Sequence, residues 1–301
     1  MSAAPITPVA QKENRFAVFA ARFFENKIAA GALVVLISII LLAVLAPWIT
    51  PQNPYDLGQV DIMDGRMKPG EEAFAGYTFW LGSDGAGRDL YSAILYGLRI
   101  SLMVGVFSGL IALVIGTAVG LIAAYAGGRT ETLIMRLVDL QLSFPAVLVA
   151  LMLVAAMGKG VDKIIIALVT VQWAYYARTV RGNALSERKK EYVEAAKNLG
   201  LSSSRILFGH IMPNCLSPLI VVATIQTAHA IALEATLSFL GIGLPQTEPS
   251  LGILISNGFE YMMSGKYWIS VYPGLALLIT VFSINLVGDQ LRDVLNPRLN
   301  K

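Results

Sequence analysis

The chain has 301 residues, of which 55% are hydrophobic and 14% are charged, and its mean hydropathy is +0.64. Soluble domains carry about 25% charged residues, so this composition cannot provide the polar surface of a soluble protein. The net charge of +3 is too small to indicate nucleic-acid binding, and the single cysteine, Cys215, excludes an internal disulfide and a thiolate metal cluster. These quantities predict a protein that lies in a membrane.

The first long apolar segment covers residues 28–49 and contains no charged residue. The apolar part of a secretory signal is shorter, about 7–15 residues, and is followed by a small-residue cleavage site. Here the segment closes with Pro47, Trp48 and Ile49, and tryptophan is typical of the membrane–water interface. The segment is therefore predicted to be an uncleaved membrane anchor.

Six segments approach the length of about 20 apolar residues that a helix needs to cross a hydrocarbon core. The sequence therefore predicts an all-α membrane protein with six transmembrane helices. Pro145 is expected to kink the third helix, because proline removes a backbone hydrogen bond. Small residues recur every three or four positions from Gly105 to Gly120 and predict close packing by another helix. The predicted spans are 28–49, 100–125, 133–157, 162–180, 214–241 and 269–288.

Lysine and arginine are unequally distributed between the predicted spans. If the N-terminus is cytoplasmic, sixteen of these residues lie on the cytoplasmic side and seven on the other, as the positive-inside rule requires. Both termini are therefore predicted to be cytoplasmic. The predicted organisation is a cytoplasmic tail 1–27, a first transmembrane helix 28–49, an extracytoplasmic segment 50–99, a five-helix core 100–288 with a cytoplasmic segment 181–213, and a cytoplasmic tail 289–301.

The cytoplasmic segment 181–213 is polar and is predicted to contain two short helices. Ser186 is expected to cap the first helix, and Gly200 is expected to end it in a left-handed turn. Ser202 is expected to begin a second helix that runs to Pro213, where the fifth span starts. The segment is thus predicted to form a helical corner at the inner face of the membrane.

One face of the first short helix is small and apolar. Two interpretations are open: an amphipathic connector that rests on lipid head groups, or a surface of low relief over which another protein fits. Spacing alone favours the connector. The face comprises Tyr192, Ala195, Ala196 and Leu199, with Glu191 and Glu194 beside it.

The same segment resembles the signature of a known family. Residues 194–196 read Glu-Ala-Ala, Gly200 follows after three residues, and 210–213 read His-Ile-Met-Pro. This pattern is similar to the EAA loop of binding-protein-dependent ABC permeases, in which the loop is a coupling helix that enters a groove of the ATPase subunit. His210 and Met212 stand where that family usually has isoleucine and leucine, and the histidine is a variant of the peptide branch.

Further stretches resemble the dipeptide, oligopeptide and nickel branch, and within it the C-type permease of dipeptide importers. The resemblance runs from about residue 15 to the end of the chain. The sequence departs from the pattern at Leu251, where Pro-Ser-Trp-Gly is usual, and at Asn296, where aspartate is usual. The similar stretches are 81–89, 97–102, 234–243 and 285–297.

The resemblance implies a type I importer permease, a six-helix subunit of the bacterial inner membrane paired with a second permease. Two ATPase subunits would bind ATP and Mg, a solute-binding protein would deliver the substrate, and this chain would hold no cofactor and catalyse no reaction. Di- or oligopeptides are the expected substrates, with nickel, glutathione, opines and oligosaccharides left open. The residues expected to couple transport to the ATPase are Glu191, Glu194, Ala195, Ala196, Gly200, His210 and Pro213.

Other classes of protein fit the sequence less well. The chain has no Gly-rich phosphate loop ending in Gly-Lys-Ser/Thr, so it is not expected to hydrolyse ATP itself. Ser238 and His229 are nine residues apart, and no acid that could orient a hydrolytic pair is evident. A secondary transporter built from repeats would show a duplicated half, and a channel would show a filter-like motif.

Glu234 and His229 lie within the fifth predicted span. A carboxylate at this depth is costly against lipid, so Glu234 is expected to face the interior of the bundle. It either lines the translocation path and meets a cationic group of the substrate, or pairs structurally with a neighbouring helix, or is simply protonated. His229 is proposed for the same path, and is expected to lie between helices rather than to bind nickel.

Overall fold

The computed structural model describes residues 15–245 and 247–295, so Asn296 lies outside the described part. Regular structure in this part is helical, apart from two isolated bridges, Glu72–Thr78 and Ser83–Asp89. The helices are α1 (Arg15–Glu25), α2 (Lys27–Ile49), α3 (Leu90–Ala126), α4 (Gly128–Ser143), α5 (Ala146–Met157), α6 (Val161–Glu187), α7 (Glu191–Asn198), α8 (Ser203–Ile206), α9 (Met212–Phe239), α10 (Leu251–Phe259) and α11 (Trp268–Leu295).

Four helices of the described part are long and apolar enough to cross a membrane: α2, α3, the continuous helix Ser203–Phe239, and α11. A fifth crossing results if α4 and α5 are counted together, although their axes are bent by 89°. The predicted span 162–180 lies inside α6, which has 27 residues but is less apolar than those four helices. The fold is therefore an all-helical membrane bundle with four or five candidate crossings.

Pro145 breaks the third predicted span. It is the N-cap of α5, with ψ of 124°, and α4 ends two residues before it at Ser143. The residue before a proline is driven out of the helical region, and Phe144 is accordingly extended, with ψ of 141°. The predicted kink is confirmed, and it is large enough to separate two helices.

Two predicted helix boundaries on the cytoplasmic segment are wrong. Ser186 does not cap the first short helix, because α6 continues to Glu187 and α7 begins only at Glu191. The second short helix does not end at Pro213, because a wider π-helical turn, Leu207–Ile211, precedes the proline and leaves space for its ring. The backbone therefore stays helical from Ser203 through α9.

The second predicted span, 100–125, lies inside α3, which begins ten residues earlier, at Leu90. The start of α3 is buried against α2, α10 and α11, so burial in protein rather than in lipid accounts for its apolar composition. The segment predicted to be extracytoplasmic accordingly ends at Asp89, the N-cap of α3, whose side chain accepts a hydrogen bond from the N–H of Ser92.

α3 and α6 pack on each other through small residues. An added Cβ at Gly116 would lie 2.4 Å from the backbone oxygen of Trp173, and one at Gly120 would lie 2.5 Å from that of Ala177. Real Cβ atoms do not come so close, so the contact requires glycine. Gly105, nearer the start of α3, packs against α9, where an added Cβ would lie 2.7 Å from the side chain of Ile231. The predicted packing face of this helix is confirmed.

The connecting segments collect at two opposite ends of the bundle. At the first, here called the loop end, residues 50–89, 240–245 and 247–267 lie together, and Gly160 donates its N–H to the carbonyl of Gly243 at 3.3 Å. At the second, here called the α7 end, α7 packs below the ends of α3 and α6. The helices therefore connect a surface of irregular structure with a surface of short helices.

Replacing Gly116 with alanine is expected to lower the free energy of unfolding by about 1–3 kcal/mol, because the new Cβ would overlap the backbone of Trp173. Gly31→Ala in α2 is the matched control, since a Cβ there meets nothing within 4 Å. Thermal unfolding of the detergent-purified chain measures both variants. Equal midpoints for the two would show that α3 and α6 do not touch at this point.

Candidate functional site

α7 ends at a corner that depends on Gly200. The N–H of Gly200 donates to the carbonyl of Lys197 at 2.9 Å, and the N–H of Leu201 donates to the carbonyl of Ala196 at 3.2 Å. These two bonds form a Schellman motif, in which the residue at the position of Gly200 is left-handed. Its φ is +73°, as the sequence predicts. The corner turns the chain from α7 toward α8.

The two faces of α7 differ in exposure. Val193 and Ala196 are buried in an apolar cluster that also includes residues of α3, α6 and α9. Ala195 is exposed. The prediction that Ala195 and Ala196 share one surface face is therefore wrong, because adjacent helical residues diverge by about 100° and only one of them can pack inward. The exposed face includes Glu191, Tyr192, Glu194, Ala195 and Leu199.

Tyr192 connects α7 to the two helices beside it. Its hydroxyl donates to Oε2 of Glu187, at the end of α6, at 2.6 Å. It also accepts from Nδ2 of Asn214, in the first turn of α9, at 3.3 Å. Burial and the adjacent carboxylate of Glu187 raise the pKa of Tyr192 to about 12, so the phenol keeps its proton at neutral pH. Tyr192 therefore links α7 to both α6 and α9.

Arg188 links the end of α6 to the end of α3 by hydrogen bonds. Its guanidinium donates to the carbonyl of Ala124 and, at 3.4 Å, to that of Tyr125. The last carbonyls of a helix lack partners within it, and they carry the negative end of the helix dipole. The sequence analysis missed this role, as it missed the bridge from Tyr192 to Asn214, because no local spacing relates residues so far apart in the chain.

A π-helical turn, Leu207–Ile211, joins α8 to α9. The N–H of Met212 donates to the carbonyl five residues before it. Pro213 follows, and its ring needs space beside the preceding turn, which the wider π geometry provides. Pro213 is exposed, whereas His210 is half-buried and its carbonyl accepts from Nδ2 of Asn214 at 2.7 Å. Both residues thus lie beside α7, where Tyr192 also contacts Asn214.

Glu234 is completely buried, with 0% of its surface exposed, where α9 meets α3 and α10. Its Oε2 accepts from the hydroxyl of Ser101 at 2.8 Å, and its Oε1 accepts from the hydroxyl of Ser238 at 2.8 Å. Ser250, the N-cap of α10, lies close to the same carboxyl group. Glu234 faces the interior of the bundle, as the sequence predicts.

His229 lies on the same helix as Glu234 but on its exposed side. The prediction that His229 lies between helices is therefore wrong for this single chain, and the structure does not bring the two residues into one site. Five positions along a helix correspond to a rotation of about 140°, which separates their side chains.

Two family models match the chain. The model described as "Binding-protein-dependent transport system inner membrane component" matches residues 116–301, and the "N-terminal TM domain of oligopeptide transport permease C" matches residues 14–69. The first match covers more than half of the chain and includes α7, the π turn and Glu234. The chain belongs to the family of inner membrane components of binding-protein-dependent transport systems. Such a subunit is a multi-pass membrane permease whose partners include an ATPase, which binds the nucleotide, and a substrate-binding protein.

Individual relatives agree with this family. A putative peptide transport system permease protein of Brucella suis is 42% identical over 267 residues, which are 89% of this chain and 86% of that protein. The di/tripeptide transport system permease protein DppC of Pseudomonas aeruginosa is 37% identical over 92% of this chain and 90% of its own length. A chain of the inward-facing MetNI methionine ABC transporter shares the fold, with a TM-score of 0.57 at 19% identity over 68% of this chain and 96% of that chain.

Replacing Gly200 with alanine is expected to loosen α7, because a side chain at a φ of +73° costs about 1–2 kcal/mol. Gly209→Ala in the π turn is the matched control, since a Cβ there meets nothing within 4 Å. Amide hydrogen exchange of residues 191–201 compares the variants, and only Gly200→Ala should exchange faster. Unchanged exchange in Gly200→Ala would contradict the Schellman corner.

Proposed function

We propose that this chain is the permease subunit of an ATP-driven importer that carries di- or oligopeptides across the bacterial inner membrane. The observation that carries the proposal is the similarity over nearly the whole chain to permeases named for peptide transport. Besides the relatives of Brucella and Pseudomonas, the oligopeptide permease OppC of Bacillus subtilis is 36% identical over 93% of this chain. Peptides are therefore the proposed substrates, in preference to nickel and the other solutes.

The proposed architecture has six crossings, formed by α2, α3, the bent pair α4–α5, α6, the helix Ser203–Phe239 and α11. α6 packs against α3, α4, α5 and α9, and a helix surrounded by other helices does not need the apolar surface of one that faces lipid. An even number of crossings puts both termini on one side. Lysine and arginine are concentrated toward the α7 end, which supports a cytoplasmic position for that end.

The proposed partners are a second permease, two ATPase subunits and an extracytoplasmic solute-binding protein, with lipid around the bundle. The exposed face of α7 would fit into a groove of an ATPase subunit. The small side chain of Ala195, one helical turn after Glu191 and next to Glu194, adds little relief to this face. ATP and Mg belong to the ATPase, and the chemistry of this chain is binding and motion.

Movement of the ATPase would be transmitted to the transmembrane helices through two sets of contacts that α7 makes. The first is the polar bridge from Tyr192 to Asn214 at the start of α9. The second is the packing of Val193 and Ala196 against the cluster shared by α3, α6 and α9. Since α9 continues to Glu234 and the loop end, a tilt at α7 would alter access at the other side of the membrane.

Glu234 and His229 have different places in this mechanism. We assign Glu234 to holding α3, α9 and α10 together, since all three provide its contacts and none of its surface is free in the single chain. His229 is exposed on α9, and an imidazole facing lipid is costly. It is therefore proposed to face the second permease or the translocation path.

A cysteine at Ala195 is expected to cross-link to a cysteine in the groove of the co-expressed ATPase, because Ala195 is exposed. The matched control is Ala196→Cys, one residue further but buried. The native Cys215 is buried and gives a low background. Non-reducing gel electrophoresis of membranes measures the product. Equal cross-linking at both positions, or at neither, would refute the proposed contact face.

In a strain lacking this chain, the wild-type gene is expected to restore uptake of a radiolabelled dipeptide, whereas Glu194→Arg should reduce it more than tenfold. Arginine reverses the charge of the exposed face of α7. Glu25→Arg is the control, because it makes the same reversal at an exposed residue of α1, away from α7. Immunoblots confirm equal membrane levels. Full uptake by Glu194→Arg would contradict the coupling role, and no dipeptide uptake by the wild type would contradict the substrate class.

A further inference from the structure

A cleft of about 290 Å³ lies at the loop end, between the end of α2 and the start of α3. It is far from α7 and plays no part in the proposed coupling. Its volume suits a small polar group rather than a whole oligopeptide. Four aromatic side chains and one carboxylate line it, namely Trp48, Tyr77, Trp80, Tyr91 and Asp89.

Asp89 supplies the ionisable group of this cleft and is 1% exposed. Its Oδ2 accepts from the N–H of Ser92 at 2.8 Å and from the hydroxyl of Ser92 at 2.5 Å. Its Oδ1 has no hydrogen bond of good geometry from residues 15–245 and 247–295, although the backbone N–H of Tyr91 lies close to the carboxylate. Leaving a buried acceptor without a partner is costly. Burial also raises the pKa of Asp89, against the bonds from Ser92, so a cationic donor in the cleft would stabilise the carboxylate.

The aromatic walls are suited to the same kind of ligand. The rings of Trp80 and Tyr91 are 6.1 Å apart with an angle of 32° between their planes, and Trp48 belongs to the last turn of α2. The faces of aromatic rings attract ammonium groups, and tryptophan does so most strongly. Burial, and then the charge of Asp89, raise the pKa of Tyr77 to about 12. Tyr77 therefore remains a neutral phenol near the carboxylate.

The position of the cleft indicates where such a ligand comes from. α2 is one of the helices able to cross the membrane, and Trp48 stands at its end. Trp48 and Trp80 are 76% and 73% exposed, and exposed tryptophans are enriched at the level of the lipid head groups. The nearest abundant ammonium groups are therefore those of lipids.

We propose that this cleft binds a primary ammonium group, with Asp89 accepting its hydrogen bonds between the rings of Trp48 and Trp80. The position at the head-group level favours the ethanolamine of phosphatidylethanolamine. The free amino terminus of a peptide has the same chemistry and is the second source. The ammonium-binding proposal does not depend on the proposed peptide transport, because it rests only on the residues that line the cleft.

Native mass spectrometry of the complex containing this chain tests the proposal in phosphatidylglycerol nanodiscs. Phosphatidylethanolamine, phosphatidylcholine, dialanine and N-acetyl-dialanine are each added. Retention of phosphatidylethanolamine in preference to phosphatidylcholine is expected and identifies a lipid site. Binding of dialanine without N-acetyl-dialanine, and without the lipid, identifies a site for peptide amino termini. If no primary amine is retained, the proposal is wrong.

Two variants assign the binding to the cleft. Asp89→Asn keeps a side chain that can cap α3 but removes the charge, and it should weaken retention by about tenfold. Trp80→Leu removes an exposed ring and should also weaken it, which provides a second test if the first variant folds poorly. Phe74→Leu is the control, because Phe74 is an exposed aromatic of the same segment outside the cleft. Retention unchanged in both Asp89→Asn and Trp80→Leu would overturn the assignment.

Discussion

The backbone contact between α3 and α6 is the constraint on which the α7 end depends. Gly116 and Gly120 let the two helices approach without intervening side chains, and van der Waals packing of this kind is the main attraction available between helices in lipid. The contact brings the last turn of α6 beside the last turn of α3, where Arg188 reaches the free carbonyls of Ala124 and Tyr125. α7 follows directly from this joint.

The support of α7 is divided between apolar and polar contacts. Val193 and Ala196 hold it by burial, which is not directional, whereas Tyr192 fixes its orientation through hydrogen bonds to Glu187 and Asn214. Near the other end of α9, Glu234 accepts hydrogen bonds from one hydroxyl of α3 and from one of α9 itself. Hydrogen bonds therefore fix both ends of α9, and apolar packing holds the part between them. Because hydrogen bonds are directional and apolar packing is not, the orientation of α9 is set mainly at its two ends.

Local features of the sequence predicted much of this arrangement. The long apolar segments predicted a membrane protein and most of its helices. Gly200 predicted the left-handed turn at the end of α7, and Pro145 predicted the break between α4 and α5. Local pattern failed where tertiary contacts decide. It could not tell which of Ala195 and Ala196 packs inward, because that depends on the position of α6 and α9. It also ended helices too early at Pro213, since only the surrounding bundle shows that a π turn accommodates the ring.

The length of α3 has a further consequence. With 37 residues and a rise of 1.5 Å per residue, it is about 55 Å long, whereas the hydrocarbon core of a bilayer is about 30 Å thick. A bare helix with such an excess would have to tilt strongly or deform the bilayer. Here the first turns, from Leu90 to Leu98, are covered by α2, α10 and α11 rather than by lipid. The remaining 28 residues, from Arg99 to Ala126, are about 42 Å long, so burial of the first turns removes about half of the excess over the hydrocarbon core.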